Sequence, residues 1–461
     1  MKTHHPSASL QPDFATLLKT HPGLEAAPAP GTGGELCFGG QSLKALARTY
    51  GTPCWVMDGG VLRTRCQALA GAFKAALSTP LPDGRSAVCC HYAVKAQDSL
   101  ACLAIAAQEG YGADIVSGGE LARALKAGMK AEAVVFSGVG KSDSELADAI
   151  KAGIGQINVE NEGELERIAS LASAMGRVAR VALRVNPDVA AQTHDKISTG
   201  RAEDKFGIAW EKVPALYKSV QQAEGHSALR MVGLAVHLGS QIMDPQPYRQ
   251  GYQRLAQLVR QLHAEGLRVD EIDCGGGLGI PYQGEEAMAP QAWAHIVAET
   301  LGGLGARLHV EPGRWLTGPA GVLLASVVEI KHGARDFVII NAGMNDLLRP
   351  ALYDAWHGIL PTTLPAPGTP LHEADIVGPI CESSDIFARN RPMPPFKRGD
   401  TVAILDAGAY GAVMSSTYNT RPLAPQILID HGQVAPLRKQ QSVEALLAAE
   451  TMPGWLLPGQ R

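Results

Sequence analysis

Between residues 88 and 311, short β-rich runs alternate with longer amphipathic segments, and that alternation leaves few architectures open. Eight runs read as strands, at 88–94, 113–116, 134–137, 156–159, 180–186, 231–237, 271–274 and 308–311. Helix-like segments fall between them at 100–109, 120–127, 143–152, 162–175 and 248–265. Eight repeats of this unit predict a parallel (β/α)₈, TIM-like barrel in the α/β class. An open doubly wound sheet usually has fewer units and a glycine-rich turn after its first strand, where this sequence has Lys95.

A barrel of about 250 residues fills only part of a 461-residue chain, so a second domain is expected. After Pro312 the helical rhythm fades, and runs at 322–330, 337–340, 401–405 and 426–429 alternate with Pro and Gly turns. They predict a mostly β domain, to which the runs at 36–38 and 54–57 can add strands. The expected division is a flexible leader at 1–34, a barrel at 58–311, and a β domain from 35–57 and 312–461. The leader reading rests on the Pro-, Ala- and Gly-rich stretch 26–34.

A formal net charge of −4 offers no broad basic field, which argues against nucleic acid and anionic membranes as partners. The first residues lack the apolar segment of a secretory signal, so a cytoplasmic protein is expected. Eight cysteines form no short-spaced framework and no pair of Cys-x-x-Cys motifs, which points to reduced thiols and no metal site.

In a barrel of this kind, chemistry sits where strands end. The first strand runs into Tyr92-Ala93-Val94-Lys95, the second reaches Asp114, and the sixth ends in His237-Leu238-Gly239-Ser240-Gln241. The seventh ends in Gly275-Gly276-Gly277, and the eighth in Glu311-Pro312-Gly313-Arg314. Each has an ordinary reading: a solvated lysine, a plain glycine turn, a core histidine, a surface ion pair. Together they supply an amine that loses its proton in a desolvated site, a backbone nest for an anion, a carboxylate and a guanidinium. Those are the needs of pyridoxal 5′-phosphate: an imine partner, a phosphate cradle, and a group that keeps the pyridine nitrogen protonated.

The motifs resemble those of the fold-type III pyridoxal-phosphate-dependent decarboxylases, whose fold is alanine racemase-like. The resemblance runs through Tyr92-Ala93-Val94-Lys95, Asp114-Ile115-Val116-Ser117-Gly118-Gly119-Glu120-Leu121 and Phe136-Ser137-Gly138-Val139-Gly140-Lys141. It continues in the His237, three-glycine and Glu311 motifs, then in Gly378-Pro379-Ile380-Cys381-Glu382-Ser383 and Asp406-Ala407-Gly408-Ala409-Tyr410-Gly411. Gln97 departs from it, standing where the family commonly has asparagine. Within the class, Thr193-His194-Asp195-Lys196-Ile197-Ser198-Thr199-Gly200 with Lys205-Phe206-Gly207, and the Cys381-Glu382-Ser383 form, resemble diaminopimelate decarboxylases.

This resemblance implies decarboxylation of meso-2,6-diaminopimelate to L-lysine, the last step of bacterial lysine synthesis. By it, Lys95 holds the cofactor as an imine and His237 stacks on its ring. Gly275, Gly276, Gly277, Ser240, the backbone at Gly313 and Tyr410 hold its phosphate, Glu311 meets the pyridine nitrogen, and Asp114 belongs to the same cofactor site. Arg314, Arg349, Tyr353, Glu382 and Tyr410 are implied at the substrate, the arginines suiting its distal carboxylate and Glu382 its distal ammonium. The resemblance further implies a symmetric homodimer in which Cys381 and Glu382 enter the neighbour's site, where the thiol can return the proton that ends the reaction. An ornithine, lysine or arginine decarboxylase of the same fold is the nearest alternative. A non-catalytic regulatory homologue has no reason to keep Lys95, the glycines and Cys381 together, and a racemase of the related barrel would need a tyrosine base on the opposite ring face and would lack the Cys-Glu motif.

Overall fold

A computed structural model describes residues 13–187, 205–224 and 228–456. They form two compact units: Val61–Pro281 with Glu285–Gly318, and the described residues up to Gly60, Tyr282–Gly284 and those from Pro319 onward.

The first unit is a closed parallel barrel. Its strands are Val88–Ala93, Gly112–Ile115, Val134–Phe136, Gln156–Val159, Ala179–Asn186, Leu229–Ala235, Glu271–Asp273 and Arg307–Val310. Each pairs with the next, and the last closes on the first with Val310 opposite Cys90. Gly112–Ile115 and Gln156–Val159 are buried throughout, as strands walled by helices on one side and barrel filling on the other must be. The helices start where the sequence caps them. Ser142 and Glu145 form a reciprocal capping box for Asp143–Ala152, Ser117 caps Gly118–Lys126, and Asn161 caps Glu162–Ala174. Strand ends and helix starts therefore lie together at one mouth, where Lys95, Asp114, His237, Ser240, Gly275–Gly277, Glu311 and Arg314 fall.

The second unit is mostly β. Its main sheet runs Ile386–Met393, His372–Val377, Phe337–Ile340, Gly321–Lys331, Cys54–Asp58, Gln426–Asp430 and Gln433–Arg438, with Thr401–Ile404 also paired to Gly321–Lys331. Cys54–Asp58 is buried along its whole length and lies between Gly321–Lys331 and Gln426–Asp430. Part of the expected flexible leader is ordered instead. Asp13 caps a helix at Phe14–Thr20, and Leu24–Ala27 pairs antiparallel with Gly34–Phe38. Leu17 and Leu24 are buried in the core that this small sheet covers, and that burial outweighs the turn-forming composition of 26–34. Among the described residues no helix is long and apolar enough to cross a membrane, no cluster of ligating side chains could hold a metal ion, and every cysteine is a free thiol.

Candidate active site

At the barrel mouth Lys95 follows the first strand in a short turn of 3₁₀ helix, and its Nζ donates to Asp114 Oδ2 at the end of the second strand. Asp114 is fully buried, and its other oxygen has no hydrogen-bond partner. Burial raises its pKa, with Lys95 pulling in the other direction.

Glu311 directly follows the eighth strand, the hydrogen-bonded neighbour of the strand that leads to Lys95. Its carboxyl is pushed well above the usual range, first by burial and then by the neighbouring Asp114 and Asp273 carboxylates. Glu311 Oε1 is buried without a partner, an acceptor left open in a sealed place. Asp273 accepts from Gly275 N through Oδ1 and from Asn158 Nδ2 through Oδ2, both at 2.9 Å. It thereby sets the start of the glycine run.

The three glycines are needed sterically. Gly275 and Gly277 have φ of 68° and 102°, and a Cβ on Gly276 would lie 2.0 Å from the Glu311 carbonyl oxygen. The Gly276 N–H points toward His237 Nδ1 at 3.3 Å, which makes that nitrogen the acceptor and leaves the ring's hydrogen on Nε2. Burial, then the charges of Lys95 and Arg184, hold His237 well below the usual imidazole range, so the ring is neutral. Arg314 opens the four-residue helix Arg314–Thr317 after Gly313 and donates to Ser240 Oγ at 2.9 Å.

The remaining expected residues lie in the second unit. Arg349 begins the short helix Arg349–Tyr353 and is buried; its Nη1 donates to Tyr282 OH at 2.8 Å and contacts His357 Nε2 at 3.0 Å. Tyr353 is half-buried, and Tyr410 holds a left-handed backbone at φ 55°. Cys381 and Glu382 are exposed: the thiol faces Asn419 Oδ1 at 3.6 Å, and Glu382 accepts from Tyr418 OH at 2.7 Å. The structure thus groups Lys95, Asp114, His237, Ser240, Gly275–Gly277, Glu311 and Arg314 in one unit, and Arg349, Tyr353, Cys381, Glu382 and Tyr410 in the other. Loop 193–200 lies outside the described residues; beyond it, Arg184 lies over the Phe206 ring and Gly207 N donates to Glu160.

Sequence reasoning passed over Asp273, Asn158 and Tyr418. An acidic residue at the end of a strand, two positions before a glycine run, is a usable signal for Asp273. Tyr418 has none, because its partnership with Glu382 depends on two loops meeting.

The donor set suits pyridoxal phosphate. It offers an amine with a carboxylate beside it, a buried acceptor with nothing to bind, and a cradle of backbone that any Cβ would fill. Residues 72–318 match the family model "Pyridoxal-dependent decarboxylase, pyridoxal binding domain". A diaminopimelate decarboxylase of Zymomonas mobilis is 43% identical, with 92% of this chain and 98% of the relative covered. One from Aquifex aeolicus is 40% identical, over 90% and 95%. Among solved structures, the diaminopimelate decarboxylase of M. jannaschii in complex with L-lysine has a TM-score of 0.87 at 33% identity, over 95% of this chain and 99% of its own. The Helicobacter pylori enzyme complexed with L-lysine has a TM-score of 0.82 at 36% identity, over 88% and 98%.

Proposed function

The chain belongs to the diaminopimelate decarboxylases within the pyridoxal-dependent decarboxylase family, and from that premise we infer that it converts meso-2,6-diaminopimelate to L-lysine and carbon dioxide. The observation that carries the chemistry is the placement of Lys95 and Glu311 at the ends of adjacent barrel strands, an amine and a buried, partnerless carboxyl oxygen over one mouth.

Lys95 would hold the cofactor covalently, Glu311 its pyridine nitrogen, His237 its ring face, and Gly275, Gly276, Gly277, Ser240, Gly313 and Tyr410 its phosphate. When bound, the cofactor supplies an electron sink for the pair left behind by departing carbon dioxide. The protein's part is positional and electrostatic. Asp114 lies against the Lys95 amine and holds it toward the mouth. Glu311, its carboxyl raised by burial and two carboxylate neighbours, presents a buried open oxygen that would share a proton with the ring nitrogen. His237, neutral, presents an uncharged ring face. Asp273 and Asn158 fix the strand end from which the glycine cradle departs.

At the substrate we assign Arg314 and Arg349 to the distal carboxylate, with Tyr353 and Tyr410 beside it, and Glu382 to the distal ammonium. A substrate with an amino-acid group at each end needs both kinds of recognition, whereas a decarboxylase of ornithine or lysine needs only the second. We further read the active form as a homodimer in which Cys381 and Glu382 are donated to the neighbouring copy, in keeping with their exposure. A cytoplasmic location accompanies this reading, supported by eight free thiols.

Carbon dioxide release from meso-diaminopimelate, ornithine, lysine and arginine tests the function directly. Preference for any of the last three over diaminopimelate overturns the substrate assignment. The dimer is tested by mixing inactive Lys95→Ala and Cys381→Ala chains. If the site is shared, up to about a quarter of wild-type activity returns, because one site in each mixed dimer is intact. Mixed dimers that form and stay inactive refute it.

A further inference from the structure

Where the barrel strands begin, the first unit contains a cavity of about 360 Å³, within the 300–1,000 Å³ range of small-molecule sites. Its wall carries Arg85, Arg180 and Arg307 with His91, His309 and Glu271, so it draws on the starts of the strands whose ends form the candidate active site.

The hydrogen bonds decide the charge of this wall. His91 Nδ1 faces the Ala133 carbonyl at 3.1 Å, and a carbonyl only accepts, so that nitrogen carries a hydrogen. His91 Nε2 meets His309 Nδ1 at 2.7 Å, which requires one hydrogen between them. His309 Nε2 meets Glu271 Oε2 at 2.8 Å, which requires another if Glu271 is ionised. Burial favours the neutral acid, but the His309 hydrogen bond and the charges of His309, Arg85 and Arg307 outweigh it and hold Glu271 low. Three hydrogens on two rings make one imidazolium, and its charge offsets that of Glu271.

With Glu271 so balanced, three guanidiniums remain. Arg85 is shared with exposed Asp83 at 2.6 Å. Arg180 donates to the Gly155 carbonyl at 2.8 Å and reaches Glu271 only at 3.4 Å. Arg307 has no side-chain hydrogen bond or ion pair among the described residues, and its Nε is buried. Gln156, almost fully buried on the same wall, has a partnerless Oε1. Glu132 is the one other acidic residue on the wall, and it is exposed. The wall therefore holds surplus positive charge in a semi-enclosed space, with an arginine lacking an acceptor.

We propose that this cavity binds a small polyanion, a phosphate or a di- or tricarboxylate, with Arg307 as its chief donor and Arg180 and Arg85 beside it. The shared chemistry is a planar or tetrahedral oxyanion that guanidinium groups grip in pairs.

Thermal unfolding of the cofactor-loaded enzyme tests this, since the cofactor's own phosphate site is then filled. Citrate and inorganic phosphate are titrated separately against sodium chloride at matched ionic strength. At least one of them should raise Tm with concentration beyond chloride, and Arg307→Gln should need about tenfold more for the same rise while decarboxylation continues unchanged. The anion that acts more strongly identifies the carboxylate or phosphate source. No rise beyond chloride with either anion, or superimposable curves for wild type and Arg307→Gln, overturns the proposal. Arg85→Gln, on the exposed rim, makes the same comparison should Arg307→Gln fail to fold.

Discussion

Arg314 donates to the Ser240 hydroxyl at 2.9 Å, tying the turn after the eighth barrel strand to the turn after the sixth. An arginine assigned to the substrate and a hydroxyl assigned to the cofactor phosphate are therefore mechanically one unit. Ser240→Ala should raise KM for diaminopimelate as well as loosen the cofactor, each by a few-fold, the scale of one charge-assisted hydrogen bond. Steady-state kinetics at saturating cofactor separate the two effects, and an unaltered KM would uncouple the residues.

Lys95→Ala should abolish both activity and the visible absorbance of the imine-bound cofactor. Persistence of that absorbance in the variant would move the attachment to another lysine.

Gly276→Ala places a methyl group 2.0 Å from the Glu311 carbonyl oxygen and 2.9 Å from its carbon, both rigid backbone atoms. The eighth strand end and the cradle must separate, so cofactor retained after dialysis should fall sharply. Full retention would show that the cradle tolerates a side chain.

Arg349 is clamped by Tyr282 and His357 before any substrate arrives. Loss of its contact in Arg349→Ala removes roughly 1.5 to 3 kcal/mol, about ten- to a hundred-fold in kcat/KM for diaminopimelate. An unchanged kcat/KM removes Arg349 from the site. Tyr418→Phe should act more mildly, raising KM with kcat nearly constant, since it frees Glu382 without deleting it. A fall in kcat alone would contradict a positioning role.

Glu120 accepts from Val116 N at 2.7 Å, and burial raises its pKa from 4.5 to about 7. A carboxyl raised in the folded state lends stability that is complete below its unfolded pKa and lost as pH climbs through the folded one. Wild type should therefore lose stability relative to Glu120→Gln between about pH 4.5 and pH 7, by at most about 1.4 kcal/mol for each pH unit. Parallel denaturation curves for the two proteins across that window would show that Glu120 does not titrate there.

The barrel was legible because its strands are short β-rich runs that alternate regularly with amphipathic segments, several of them buried throughout, and because capping residues such as Ser142 and Asn161 mark where helices resume. His372–Val377 and Ile386–Met393 were not, since their polar residues hide the pattern; Asp375 is buried because Asn390 N and Arg335 meet it from outside its own strand. The same contrast divides the site. Lys95, His237 and Glu311 follow from topology, which gathers strand ends whatever the loops do. Tyr418 beside Glu382, and Tyr282 beside Arg349, depend on side chains meeting across long stretches of chain, and no local spacing records that.

The buried strand Cys54–Asp58 lies between neighbours that begin at Gly321 and Gln426, so it is made long before either of the strands that flank it. Trp55, Val56 and Met57 leave the ribosome before any barrel strand exists and stay without their partners until the last third of the chain emerges. Throughout translation this nascent segment is a sticky apolar ribbon, and folding of the β unit waits on the carboxyl-terminal end. Messages truncated after the barrel should yield a product whose amino-terminal arm recruits chaperones or aggregates, even where the barrel itself has closed.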